Sequence, residues 1–163
     1  MILESERLKF RLFENKDKKR LILLLNDGNI SKWTDIPFPY KEKHADWWIK
    51  TGSKKKYQYA IEIKNSKKLI GSLKITPSGE IGCWIGSKYW KQDFATEAIE
   101  RIKLFAFDNL KLDKLWAATH KENLAPFELM KKTGFIQVEN RPYYVEGIGE
   151  TKIRPHFELV NRP

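Results

Sequence analysis

Between Tyr57 and Ile85 apolar residues fall on every second position in three successive runs, and a turn signal separates each run from the next. Tyr57, Tyr59, Ile61 and Ile63 form the first run, "KNSKK" breaks it, and Leu69, Gly71, Leu73 and Ile75 form the second. "TPSG" turns the chain again before "EIGCWIG", in which Ile81, Cys83 and Ile85 face one way and Glu80, Gly82 and Trp84 the other. A period of two with short polar breaks belongs to half-buried strands joined by hairpins, so this stretch predicts an antiparallel meander. The period then becomes helical. Phe94, Ala98, Ile102, Phe105 and Ala106 recur at steps of three and four on one apolar face, and Glu97 with Arg101 makes an i,i+4 pair on another. The strand "KLWAATH" follows. A strand, helix, strand passage implies a parallel pairing beside the antiparallel ones. The chain is thereby restricted to an α/β (α+β) architecture: a mixed, mostly antiparallel sheet with one parallel pair and helices packed on it.

The flanks fit this frame. Leu8, Phe10 and Leu12 alternate with Arg7, Lys9 and Arg11, a half-buried strand, and Asn15 is placed to cap a helix that stops at "NDGN". "WTDIPFPY" reads as an irregular connection that packs its rings, and "KEKHADWWIK" as a short helix. "APFELMKKTG" is a helix with Pro126 suited to its first turn and Gly134 to its end. "FIQVEN" and "IRPHFELV" give two closing strands. With 163 residues and no internal repeat or low-complexity linker, one domain over 1–163 is expected.

Composition narrows the function classes. Charges stand within the first six residues and the longest nearby apolar run is "LILLL", so neither a signal peptide nor a membrane span fits, and a cytoplasmic location is expected. The single cysteine, Cys83, excludes an internal disulfide and is expected to be a small buried hydrophobe. His44, His120 and His156 are scattered without ligand spacing, so no metal site is expected. The net charge of +10 invites a nucleic-acid reading, but the lysines are spread along the chain and no recognition motif accompanies them. A solvated basic surface, compatible with a polyanionic small ligand, is the expected reading.

The element order, together with "IGCWIGSKYWKQDFATEAIE" and "HKENLAPFELMKKTGF", resembles the GNAT superfamily of N-acetyltransferases, within it the branch of the RimJ/RimL ribosomal-protein N-terminal acetyltransferases. The similarity runs from "ESERLKFRLF" through "IPFPY" and "LIGSLKI" to about Phe135. The resemblance implies a GNAT fold with acetyl-CoA as co-substrate, lying in an opening between two parallel strands. Its pantetheine would pair with the backbone of Trp84, Ile85 and Gly86. The family's Q/R-x-x-G-x-G/A loop falls on Trp90, Lys91, Gln92, Asp93, Phe94 and Ala95, and the pyrophosphate would sit on amides reaching to Thr96. Two positions depart from the pattern: Trp90 replaces Gln or Arg, and Asp93 replaces the first glycine.

The physical basis of that loop is general. A helix N-terminus leaves its first amides unpaired and carries partial positive charge, so a phosphate collects several donors there. Asp93 is expected either to cap the helix with its carboxylate or to oppose the phosphate, with Lys88 and Lys91 offsetting part of that repulsion. In the second block the resemblance places Asn123 against the cofactor, Pro126 where the family carries a Ser, and Phe127 and Lys131 near its adenine and phosphate end. Glu80, on the strand where the family often has a Glu, is the expected base for the acceptor amine. Trp33, Phe38, Tyr40, Trp47 and Trp48 belong to the segment that would wall the acceptor site.

The expected function is acetyl transfer to a primary amine, a protein N-terminus or a small molecule, by direct attack in a ternary complex, from a monomer or homodimer. A catalytically degenerate GNAT-fold module that binds CoA or a partner is the alternative, resting on Asp93 and Pro126. A basic nucleic-acid-binding protein is a third reading, resting on charge alone.

Overall fold

A computed structural model describes residues 3–162. Met1, Ile2 and Pro163, the ends of the expected domain, lie outside the described residues. The chain opens with β1 (Leu3–Glu4) and β2 (Leu8–Arg11), followed by α1 (Lys18–Leu25), the short α2 (Gly28–Ser31) and α3 (Glu42–Lys50). The meander is β3 (Gln58–Ile63), β4 (Leu69–Ile75) and β5 (Ile81–Ile85). Then come α4 (Phe94–Leu104), β6 (Lys114–Ala118), α5 (Ala125–Lys132), β7 (Ile136–Val145) and β8 (Glu150–Val160).

The strands form two antiparallel sheets, β1-β2-β3-β4-β5 and β6-β8-β7. They meet through one parallel bridge, Glu80 to Trp116. The expected parallel pair is therefore a single point of contact rather than a ladder.

Alternation along the strands sorts side chains to two cores. Phe10, Ile61, Leu73, Ile81 and Ile85 pack with Ala98, Ile99 and Ile102 of α4 and with Leu115, Phe157 and Met130. On the opposite face Ala60, Leu69 and Trp84 meet Leu21, Leu24, Ala45 and Ile49 of α1 and α3. Helices thus cover both faces of the larger sheet. Arg11 ties the second face together, reaching Asp17 at 2.8 Å and Glu62 at 2.6 Å, all three nearly buried.

Local corrections follow from competing contacts. Leu12 was expected to face inward, but β2 ends at Arg11 and Leu12 is 62% exposed. Asn15 does not cap α1; a 3-10 turn over Asn15–Asp17 intervenes, with Glu14 at its cap and the Glu14 amide donating to Asp17 Oδ2 at 2.8 Å. Glu97 does not pair with Arg101. It turns instead to Arg7 and Ser5 on the β1–β2 segment, while Arg101 Nε donates to Glu4 O at 2.8 Å. A contact to a neighbouring strand, partly shielded from water, outcompetes an exposed i,i+4 pair worth a few tenths of a kcal/mol.

Candidate active site

Beyond the Glu80–Trp116 bridge the two sheets part. Trp116 N–H donates to Gly79 O at 2.9 Å, and among the described residues no ladder joins 81–85 to 117–118. An antiparallel ladder uses the backbone groups of alternate residues, so β5 has one engaged edge and one open edge. Gly86 N–H donates to Ile70 O at 2.8 Å, and the carbonyl of Trp84 points toward Gly71, so both belong to the edge paired with β4. The backbone groups of Cys83 and Ile85 point into the gap. Of the three residues expected to meet the pantetheine, Ile85 alone therefore presents its backbone there. Its carbonyl already accepts the Trp90 indole Nε1–H at 2.7 Å.

The gap leads to the loop before α4. Lys91 and Asp93 both have left-handed backbones, φ 62° and 63°. The first α4 hydrogen bond is Glu97 N–H to Asp93 O at 3.0 Å, and the amides of residues 91 to 96 have no acceptor among the described residues. Left-handed residues within a turn aim successive N–H groups into one concavity, a backbone nest suited to an anion. Asp93 does not close it. The expected side-chain cap is absent: the carboxylate reaches outward to Lys132 Nζ at 2.7 Å, and that hydrogen bond lowers its pKa. Lys91 and Gln92 are exposed, Phe94 is buried, and Ala95 and Thr96 are half-buried along the first turn.

Arg7 fixes this loop from the β1–β2 turn. Its Nη2 donates to Gln92 O at 2.9 Å, its guanidinium lies 4.2 Å from the Phe94 ring centroid, and its Nε reaches Glu97 Oε1 at 2.7 Å. Glu97 also accepts from the Arg7 amide at 2.8 Å and from the Ser5 hydroxyl. Burial raises its pKa, but the Ser5 and Arg7 hydrogen bonds outweigh that and hold it below the ordinary value.

At the other end of the gap stands Glu80. Its Oε2 accepts the Tyr143 hydroxyl at 2.5 Å and its Oε1 lies 3.6 Å from Lys74 Nζ. Burial raises the Tyr143 pKa, with the Glu80 hydrogen bond adding to it, so the phenol stays protonated at neutral pH. Tyr143 packs edge-on against Trp116, which stacks on His156 at 5.6 Å. Glu80 thus sits where the sheets diverge, with one oxygen oriented by a phenol. On the opposite face of the strand, burial pushes the Cys83 thiol up to about 12.

The second block is more dispersed. Asn123 is half-buried in the β6–α5 connection, its N–H on His120 O at 3.2 Å. Phe127 packs edge-on against Phe157 at 5.2 Å, and Lys131 is exposed on α5 beside Lys132. Among the expected wall aromatics, Tyr40 and Trp48 serve the α1–α3 core, Phe38 and Trp47 are exposed, and Trp33 packs edge-on against His120. Arg7, Lys132, Tyr143 and Arg154 were not anticipated. A second aromatic in "RPYYVE" is the sole trace of Tyr143 in the sequence, and the other three are ordinary basic residues until the chain folds.

Comparison with known proteins agrees with this geometry. The family described as Acetyltransferase (GNAT) domain matches residues 7–136. The uncharacterized N-acetyltransferase YoaA of Bacillus subtilis (strain 168) is 25% identical over 145 residues, 82% of each chain. The same fold is found in a GNAT-family acetyltransferase from Bacillus anthracis (TM-score 0.85, 19% identity, 98% of both chains). It recurs in RimL, the ribosomal L7/L12 α-N-protein acetyltransferase solved with coenzyme A (TM-score 0.77, 15% identity, 98% of both chains). Spermidine N-acetyltransferase from Vibrio cholerae, solved with CoA and spermine, shares it too (TM-score 0.73, 19% identity, 96% of both chains).

Proposed function

The chain belongs to the acetyltransferase (GNAT) domain family, and on that premise we propose that it transfers an acetyl group from acetyl-CoA to a primary amine, with the nest at residues 91–96 holding the pyrophosphate. The observation that carries this reading is the run of amides at 91–96 without acceptors among the described residues, in the loop that follows the open edge of β5. Acetyl-CoA supplies an activated thioester; the chain supplies placement and proton transfer. The amides offer donors, the open edge of Cys83 and Ile85 offers strand-like pairing, and Lys88, Lys91 and Lys131 contribute positive charge. Asn123, in the β6–α5 connection, and Phe127, on α5, are the residues of the second block that would meet the cofactor.

Glu80 receives the proton that the amine must lose, directly or through one water, while Tyr143 holds the carboxylate in place. The acceptor follows one of two precedents of the same fold, a protein N-terminus as with RimL or a small amine as with spermidine acetyltransferase. The non-catalytic reading draws on Asp93 and Pro126. Asp93 supports it weakly, because its carboxylate is turned to Lys132 and leaves the amides free. Calorimetric titration with acetyl-CoA and CoA tests the cofactor, and the rate of Glu80→Gln tests the base. Binding with a lowered neutral-pH rate and unchanged acetyl-CoA affinity is expected. No CoA binding would overturn the proposal, and an unchanged pH–rate profile would retire Glu80 as the base.

A further inference from the structure

Arg154 lies on the face of β8 that carries His156 and looks toward Glu80 rather than toward α5. Its side chain is 8% exposed, with the guanidinium 5.5 Å from the Tyr143 ring centroid. Among the described residues it makes no side-chain hydrogen bond, and its one counter-charge, Asp35 Oδ2, stays 3.7 Å from Nη1. A guanidinium carries five donors, and one long salt bridge leaves most of them for a further acceptor.

His120 adjoins it, since the charge of Arg154 acts on the imidazole. Among the described residues His120 Nε2 and Thr34 Oγ1 are buried without a hydrogen-bond partner. Thr34 stands between Asp35 and Trp33 in the sequence, and the Trp33 ring meets His120. Burial and then the charge of Arg154 lower the His120 pKa, with Asp35 opposing and Lys152 assisting, so the imidazole is neutral at pH 7 and one ring nitrogen donates. Native interiors rarely leave several polar groups unpaired in one place.

Resting on the acetyl-transfer reading above, we infer that the acceptor carries a side-chain carboxylate besides its reacting amine, held by Arg154 together with His120 and the Thr34 hydroxyl. A planar carboxylate matches a guanidinium fork in two parallel hydrogen bonds. Asp35, on an exposed loop, is a carboxylate that approaches this fork without closing on it. Tyr143 sets the spacing: its hydroxyl is on Glu80 and its ring lies against Arg154. Glu80 and Arg154 thus share Tyr143 as a common neighbour, and a short acceptor such as an N-terminal Asp or Glu has its amine and side-chain carboxylate close enough to address both. A polyamine would instead bring its second cation against Arg154.

The test measures CoA release and acetylated product with matched acceptors: the peptides Glu-Ala-Ala and Gln-Ala-Ala, free L-glutamate and L-glutamine, and spermidine. The acidic member of a pair should have a kcat/KM at least about tenfold higher. The peptide and free amino-acid pairs distinguish a protein N-terminus from a small molecule. Arg154→Gln should bring the acid-to-amide ratio near one, and Asp35→Asn, on the exposed loop, should raise it by lowering KM for the acid alone. Should Arg154→Gln fail to fold, the Asp35→Asn ratio decides: a ratio unchanged or reduced overturns the inference. Equal rates for acid and amide, a preference for spermidine, or bound acetyl-CoA with no turnover of any probe overturns it while leaving the cofactor reading standing. Failure to bind acetyl-CoA removes both.

Discussion

Replacing Glu97 with Gln tests whether the anion-binding loop is braced from the first strands. The carboxylate accepts the Arg7 amide at 2.8 Å, Arg7 Nε at 2.7 Å and the Ser5 hydroxyl. Charge-assisted bonds contribute ≈ 1.5–3 kcal/mol each where water is excluded. Arg7 is 41% exposed, however, so its ion pair is screened toward the surface value of ≈ 0–1 kcal/mol. Gln retains an acceptor oxygen and faces the remaining donors with its own N–H groups, leaving a net loss of about 1–2 kcal/mol at pH 7. For a chain of this size that lowers Tm by about 2–8 °C. The pH dependence has a definite sign. The folded pKa of Glu97 is depressed, so its contribution is complete above the unfolded carboxyl range and is lost as pH falls through the folded value. The gap in Tm between wild type and Glu97→Gln should therefore be widest near neutrality and close on acidification. Calorimetry of both proteins from pH 7 downward reads it directly. Equal Tm values at pH 7, or a gap that widens in acid, would refute the bracing argument. Acetyl-CoA affinity should fall alongside Tm, because Arg7 also holds Gln92 O and the Phe94 ring.

Other perturbations address separate parts of the molecule. Arg11→Ala strands Asp17 and Glu62 in the second core and should cost about 3–5 kcal/mol in urea unfolding; a loss under about 1 kcal/mol would mean that water reaches both carboxylates. With its pKa near 12, only about one Cys83 thiol in ten thousand is ionised at pH 8, so iodoacetamide should label it in urea but hardly at all in the native protein. Asp93→Gly should tighten acetyl-CoA binding at low ionic strength by removing a negative charge and freeing Lys132, with a gain that shrinks as added salt shortens the Debye length. Weaker binding in that variant would show that Asp93 organises the loop.

What the sequence disclosed depended on how local its cause was. The meander and α4 were legible because alternation and the 3.6 period are written in neighbouring residues, and the two faces of "EIGCWIG" sort to opposite cores as read. Glu80 was legible at the head of its strand, although β5 itself begins at Ile81 and Glu80 forms the bridge before it. Its partner was not. Tyr143 and Tyr144 are adjacent, and which one turns inward depends on a register shift between Val138 and Arg141 that only the pairing with β8 sets. Tyr144 is consequently exposed while Tyr143 bonds Glu80. Arg154 was hidden likewise, since its burial arises from a hairpin meeting a loop more than a hundred residues earlier in the sequence.

Asp93 shows why reading the motif by residue type misleads. At φ 63° a residue with a Cβ is strained, and glycine is the default for that reason. Asp is among the few side chains found in the left-handed region with some frequency. The requirement at this position is thus a backbone conformation that aims the following amides, and a short acidic side chain meets it while its charge goes elsewhere. Lys132, the last residue of α5, receives that charge at 2.7 Å. A carboxylate beside an anion nest is then half of an ion pair between the loop and α5, and an arriving phosphate competes with Asp93 for Lys132 rather than for the amides. The same logic applies to Trp90. Its indole N–H already engages Ile85 O, so what stands in the motif's first position is a donor to the open edge of β5. Both departures from the family pattern therefore preserve the backbone surfaces on which the proposed chemistry depends, and change only which side chains a ligand must displace to reach them.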